Sequence, residues 1–215
     1  METTQRVTVH AWPKCRRLAL DALRSDQAFT VISVATPATE NRVQARARIR
    51  HALCDTLAAF RGQSAEAEVL DSRPGQPVQL GSAWAGIHVS LSHMAGLSVA
   101  AINRVSAIGV DVMHVDRGPM EMPDWQHVAR DYLGPSTSDM LRNTLPAQRP
   151  AAFAEAWTRL ESCLKCNGLQ LTEWNPHLAQ QLLNCHFLAL TLPERCCGSI
   201  ALHPFSRSLA PVDHE

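Results

Sequence analysis

The run Ile108-Gly-Val-Asp-Val-Met-His-Val-Asp116 constrains the fold more than any other stretch of this chain. Its β-branched apolar residues ask for a strand, yet Asp111 stands in the middle, and aspartate is depleted from strand interiors. A buried carboxylate without a partner is expensive. Any fold that keeps this strand inside must therefore give Asp111 something to bind. Met113 lies two residues further on, hence on the same face of a strand, and offers only a thioether there.

The rest of the chain is unexceptional in bulk. Its 215 residues suffice for one large domain or two small ones with a real core. Twenty Lys and Arg balance 20 Asp and Glu, so no global field points to nucleic acid or to an anionic membrane as partner. The apolar stretch near the start is broken by Asp21 and Arg24 and does not read as a secretory signal. The best apolar run, Leu97–Ile102, is far too short to span a bilayer. Seven scattered cysteines with no such signal read as reduced thiols in the cytoplasm. Cys163 and Cys166 form a CxxC with no second pair to complete a zinc site, so helix packing is the expected role.

Residues 6–12 alternate like an opening strand, a helix is expected after Pro13, and Ile32–Val34 form a short apolar patch. Arg42, Arg46 and Arg50 recur at i, i+4 and i+8, so one helix face carries all three, either as a solvated face or as an anion-binding stripe. Residues 73–77 are a loop by their Pro and Gly content. Leu97–Asn103 and Ile108–Val112, joined by residues 104–107, predict a β-hairpin. The polar segment 117–150 separates two halves and holds a short helix near 124–133. A strong helix over 153–167 stops at Gly168, and the runs 186–192 and 198–203 predict a second hairpin. The expected fold is α+β, in two pseudo-duplicated halves, roughly 1–105 and 106–215. Each would be a small antiparallel sheet with a packed helix, and the site would lie in the cleft between them.

Three segments carry candidate chemistry. Ser90, Ser92 and His93 form a Ser/His cluster before a strand, but it lacks the G-x-S-x-G turn of a hydrolase nucleophile. A hydrolase using Ser92 and His93 would react with serine-directed phosphonates. Asp111 is the second segment. In the third, Trp157, Glu161 and Lys165 share one helix face. Glu161 and Lys165 alone read as an ordinary i, i+4 ion pair. Together, a strand carboxylate and a helix carboxylate make a hard oxygen site suited to magnesium, which takes one or two carboxylates plus substrate phosphates. His93 and Lys165 can neutralise phosphate oxygens. The inventory predicts transfer on a phosphate ester or anhydride.

The order SLSH, GVDV, WTRLESCLKCNGL over about 88–171 resembles the 4′-phosphopantetheinyl transferase superfamily, and within it the two-halved, surfactin-synthetase-activating type. The family pattern is an [IL]SH element, then G-[VI]-D-[VI]-E, then W-[ST]-x-K-E-[AS]-x-x-K-x-x-G. Upstream, Gly75-Gln76-Pro77 is similar to the family's GKP loop. The resemblance implies that Asp111 and Glu161 bind Mg²⁺ (Mn²⁺ is a possible substitute) beside the pyrophosphate of coenzyme A. It implies that Ser92 and His93 hold the 3′-phosphate or diphosphate end, with Arg50 and the loop carrying Gln76 around the nucleotide. Glu161, directly or through a water, would take the proton of a carrier-protein serine, whose oxygen attacks the β-phosphorus. Lys165 would offset the charge on departing 3′,5′-ADP, and Trp157 would pack beneath the site.

The same resemblance implies an apo acyl or peptidyl carrier protein as partner, met by a basic surface for which Arg16, Arg17 and the 42/46/50 stripe are candidates. No nucleic acid or membrane is expected, and a monomer is. Three positions depart from the pattern. Met113 stands where many relatives carry a third metal-binding Glu, Leu160 replaces a Lys, and Gln76 replaces the loop Lys. Family members with Met at this place exist, and water or Asp116 would fill the position. The departures also motivate an alternative, a degenerate homologue that binds coenzyme A or a carrier without catalysis.

Overall fold

A computed structural model describes residues 6–37, 39–62, 70–71, 78–115 and 124–203. In chain order the elements are β1 (Arg6–Ala11), α1 (Arg16–Arg24), β2 (Phe29–Ala35), α2 (Arg42–Arg61), β3 (Leu70–Asp71) and β4 (Gln79–Leu80). Then follow β5 (His88–Met94), β6 (Leu97–Asn103), β7 (Ile108–His114), α3 (Trp125–Val128), α4 (Pro135–Asn143) and α5 (Arg149–Cys166). The chain closes with α6 (Pro176–Leu182), β8 (His186–Thr191) and β9 (Cys196–Leu202). No described helix is long and apolar enough to cross a membrane.

Seven strands form one sheet in the order β5-β6-β2-β1-β8-β9-β7. The expectation of two separate antiparallel sheets gives way to this single mixed one. β1 is the reason: it pairs in parallel with β2 on one side and with β8 on the other, and so joins early and late strands. Val7, Phe29, Val31, Val99, Val110 and Ile200 come from five of these strands and pack into one apolar cluster. Burying each such side chain contributes roughly 1.5–3 kcal/mol, which fixes the strand faces firmly. A second cluster sits under the first two helices, where Leu23, Ile49 and Leu53 meet Ile32 and Ile102.

The expected hairpin between 97–103 and 108–112 is not formed. β6 pairs instead with β5 through the Ala95-Gly96 turn, and β7 pairs with β9. Residues 88–94 are thus a strand themselves rather than the approach to one. The connector after β6 does not turn tightly because Arg104 ties it to the end of α1, donating to the carbonyls of Leu23 (2.8 Å) and Ser25 (2.9 Å). Strands of similar length and apolarity are interchangeable to a local reading, and this distant tether chooses between partners. The hairpin of β8 and β9 forms as expected.

Two helices position the chemistry. α2 starts in a reciprocal cap: Asn41 Oδ1 accepts from the backbone of Val43 and Gln44, both at 3.0 Å, while Gln44 Oε1 accepts from Asn41 N at 3.1 Å. α5 starts at a proline-bearing first turn and ends at Gly168, whose φ of 67° suits glycine. α5 packs on β7 and β9. Gly109 makes that packing possible. A Cβ there would lie 1.8 Å from Ser162 O and 2.6 Å from Cys166 N, so the last turns of α5 rest directly on the strand backbone.

Candidate active site

Strand alternation turns Ile108, Val110 and Val112 into the core and leaves Gly109, Asp111 and Met113 facing α5. Asp111 is only 8 % exposed. Its Oδ1 accepts from Lys165 Nζ at 2.7 Å and from Ser92 Oγ at 2.8 Å. Lys165 also donates to Val110 O at 3.1 Å. This is the partner the sequence demanded, since a buried carboxylate is tolerable only when paired and hydrogen-bonded. The i, i+4 reading of Glu161 and Lys165 as a mere helix ion pair is superseded: Lys165 reaches across to the strand.

Ser92 comes from β5, the opposite edge of the sheet. Its hydroxyl also accepts from Val112 N at 3.3 Å, and Ser90 Oγ accepts from Val110 N at 3.1 Å. The two serines, two residues apart and so on one face, replace a backbone ladder between the edge strands β5 and β7. A hydroxyl both donates and accepts, which lets Ser92 serve the strand and the carboxylate at once. His114 Nε2 meets Ala95 O at 2.8 Å further along the same contact.

Glu161 stands one helical turn before Lys165. Its carboxyl is pushed above the usual range, first by burial and then by the charge of Asp111, with Lys165 pulling the other way. Two carboxylates that repel each other suit a divalent cation. Among the described residues no three His, Cys, Asp or Glu side chains converge on a metal position. Met113 presents sulfur, a poor ligand for a hard ion, on the same face. A magnesium ion would fit only as one held by two protein oxygens, with the remaining ligands from water and substrate phosphate.

Leu160, where the family pattern carries Lys, packs with Phe153 and Leu141 under α3 and α4. Trp157 belongs to the same layer, stacked on Phe153 at 5.8 Å and edge-on to Tyr132 at 5.9 Å.

His93 points to the other side of β5, toward α2. Its Nδ1 lies 2.9 Å from Ser98 Oγ. Its pKa is lowered to about 4, chiefly by burial, then by the positive charges of Arg46, Arg42, Lys165 and Arg50. Arg46 is itself lowered by burial and by its two neighbours on the helix. The stripe of α2 and Lys165 of α5 thus act on one imidazole, and the concentrated positive field makes this a place able to receive an anion. Arg48 points elsewhere and binds Glu40 at 2.7 Å.

The structure therefore brings Ser92, Asp111, Glu161 and Lys165 together, with His93 and Arg50 linked to them through the field of Lys165 and the stripe. Gln76, the Gly75–Pro77 loop and Asp116 lie outside the described residues. The sequence pointed to Ser90 only as part of a Ser/His cluster and gave no role to Ser98 or Gly109. The serine alternation before the strand and the glycine two residues before Asp111 were the available signals. A cavity of about 400 Å³ continues from Lys165 between Leu80, Trp84 and Val89 on one wall and Ile108 and Cys166 on the other.

Residues 107–195, which contain β7, α5 and β8, match the 4′-phosphopantetheinyl transferase superfamily. The 4′-phosphopantetheinyl transferase HetI of Nostoc sp. is 26 % identical over 143 residues. The alignment covers 61 % of this chain and 58 % of the length of that relative. Both likenesses support a phosphopantetheinyl transferase, and the family match includes Asp111, Glu161 and Lys165.

Proposed function

We propose that this chain transfers the 4′-phosphopantetheine group of coenzyme A to a serine of an apo acyl or peptidyl carrier protein, releasing 3′,5′-ADP. The observation that carries the reading is the buried contact of Asp111 with Lys165 and Ser92, beside Glu161; Asp111, Glu161 and Lys165 lie inside the segment that matches the superfamily. Residues 1–105 would supply the coenzyme A-binding elements and 106–215 the metal and catalytic ones, as in the two-halved, surfactin-synthetase-activating type.

Each residue has a task in this reading. His93 is neutral at pH 7, and with the Ser98 hydroxyl donating to Nδ1 its Nε2 carries a proton to offer a phosphate oxygen. Arg42, Arg46 and Arg50 supply charge around that phosphate. Lys165 stabilises negative charge that develops on the phosphate of departing 3′,5′-ADP. Glu161, raised toward the operating pH, accepts the proton of the attacking serine hydroxyl. Mg²⁺ held by Asp111 and Glu161 would neutralise pyrophosphate oxygens.

The deciding experiment incubates the protein with coenzyme A, Mg²⁺ and a panel of apo carrier proteins and weighs the carriers. A phosphopantetheine mass gain on at least one carrier is expected. Coenzyme A binding without any gain over the panel would favour the degenerate homologue instead.

The anion pocket has its own test. In the free protein His93 is expected to titrate near pH 4, followed through its imidazole NMR signals. Bound 3′,5′-ADP offsets the arginine field, so the midpoint should rise toward the ordinary value near 6.5. A midpoint unmoved by saturating 3′,5′-ADP removes His93 from the nucleotide site.

A further inference from the structure

The end of α5 gathers three thiols that the transfer reaction does not use. Cys163 and Cys166 on its last turn and Cys185 just before β8 form one buried cluster, 1 %, 5 % and 8 % exposed. Asn167 Nδ2 donates to Cys185 Sγ at 3.2 Å, and the Cys163 thiol donates to Leu182 O at 3.6 Å. Cys166 also approaches Ala107 O at 3.4 Å and lines the cavity beside Lys165. We propose that Cys166 and Cys185 are a reversible thiol–disulfide pair, oxidised by hydrogen peroxide entering through that cavity, and that the bond loosens the hold of Lys165 on Asp111.

Sequence pattern alone argued for packing, because CxxC lacked a second pair. The fold supplies the missing third sulfur from across 19 residues of chain. Its surroundings make Cys185 the nucleophile. The neighbouring thiols of Cys163 and Cys166, then the Asn167 amide at 3.2 Å, favour its thiolate and lower its pKa from the ordinary thiol value. The same contacts hold Cys163 and Cys166 as protonated thiols. Thiolate character is what oxidants select.

The chemistry balances. The Cys185 thiolate attacks one peroxide oxygen, the O–O bond breaks, an S–O bond forms and hydroxide leaves. The Cys166 thiol then attacks the sulfenic sulfur, forming S–S and expelling water after proton transfer. Two thiols lose two electrons in all, and one peroxide becomes two waters. Cys163 lies in the same cluster, but Cys166 lines the cavity and so stands between the entering oxidant and the Cys185 sulfur packed against it.

The link to Lys165 is steric. A disulfide needs its sulfurs at about 2 Å, much closer than two thiols in packing contact. The turn bearing Cys166 rests on Gly109 with no room even for a methyl group. Pulling Cys166 toward Cys185 must therefore shift the adjacent Lys165, whose 2.7 Å bond to Asp111 depends on that seat.

Peroxide titration followed by non-reducing peptide mapping tests the pair directly. A loss of two hydrogens mapped to a Cys166–Cys185 cross-link, reversed by dithiothreitol and absent in both Cys166→Ala and Cys185→Ala, is expected. Cys163→Ala should still form it. A cross-link through Cys163, no cross-link at all, or a stoichiometric zinc ion held by these sulfurs would overturn the proposal. The functional consequence rests on the transferase reading. Oxidised protein should load carrier at least ten-fold more slowly and recover on reduction, while peroxide leaves Cys166→Ala at its own starting rate. A mapped cross-link with unchanged loading would overturn only the link to Lys165, and failure of unoxidised protein to load any carrier would count against the transferase reading alone.

Discussion

Asp111→Ala is expected to lower carrier loading by at least 10²–10³-fold, the range for removing one preorganised electrostatic group from a site of charge development, and to destabilise the fold as well. The carboxylate holds Lys165 and Ser92 together on one oxygen, and Ser92 in turn covers Val112 N on the edge of β7. Removing one member of a fully buried ion pair costs roughly 3–5 kcal/mol, because the survivor is left uncompensated. The Lys165 side chain is 30 % exposed and can recover water, so a loss of about 1–3 kcal/mol is expected here. Asp111→Asn separates the two effects. An amide keeps the shape and can still accept from Ser92 and Lys165, so most of the stability should return while loading stays low. Thermal unfolding and loading rates measured on both variants check this. Full magnesium-dependent transfer by either one would remove Asp111 from the site.

Glu161→Gln is expected to have the opposite balance: a loading rate reduced by about 10²–10⁴-fold, as for loss of a general base, with stability held or raised near pH 7–8. Burial and the neighbouring Asp111 charge raise the folded-state pKa of Glu161, so the fold favours its neutral form. The stabilisation such a group contributes is complete below its unfolded pKa and is lost as pH climbs through the raised value. An amide cannot ionise and escapes that loss. The stability of Glu161→Gln relative to the native protein should therefore grow as pH rises above the ordinary carboxylate range. Denaturant unfolding between pH 4 and 8 reads this directly. A variant that loads carrier at the native rate, or whose relative stability is flat with pH, would contradict the role assigned to Glu161.

These two carboxylates show how differently residues of one motif were legible. Asp111 announced itself, since a charge inside a β-branched run must be explained by something outside the strand. The spacing of Trp157, Glu161 and Lys165 placed them on one helix face, and the stop at Gly168 fell where α5 ends. The destination of Lys165 could not be read there, because a Glu and a Lys four apart are already satisfied locally on paper. Only the seat of α5 on Gly109 brings the ammonium to the strand instead. The arginine stripe was likewise visible as a face but not as a field on His93, which depends on the packing of α2 against β5.

The strand pairing was the least legible part. β6 and β7 are close in sequence and similar in character, yet they pair with different partners, and β1 reaches both β2 and β8. Such choices depend on tethers such as Arg104 to the end of α1, which no local pattern contains. The thiol cluster is another example, since Cys185 lies far from the CxxC in the chain and meets it only through β8.

The sequence by itself determined which residues carry charge into an apolar setting and at what local spacing, because period and propensity act over a few residues. Asp111, Glu161, Lys165, Ser92 and His93 are all legible at that range. The tertiary structure alone decided which of them touch. Burial makes an unpaired polar group costly wherever its partner lies in the chain. The fold therefore joins Ser92 of one edge strand and Lys165 of a later helix on a single oxygen of Asp111.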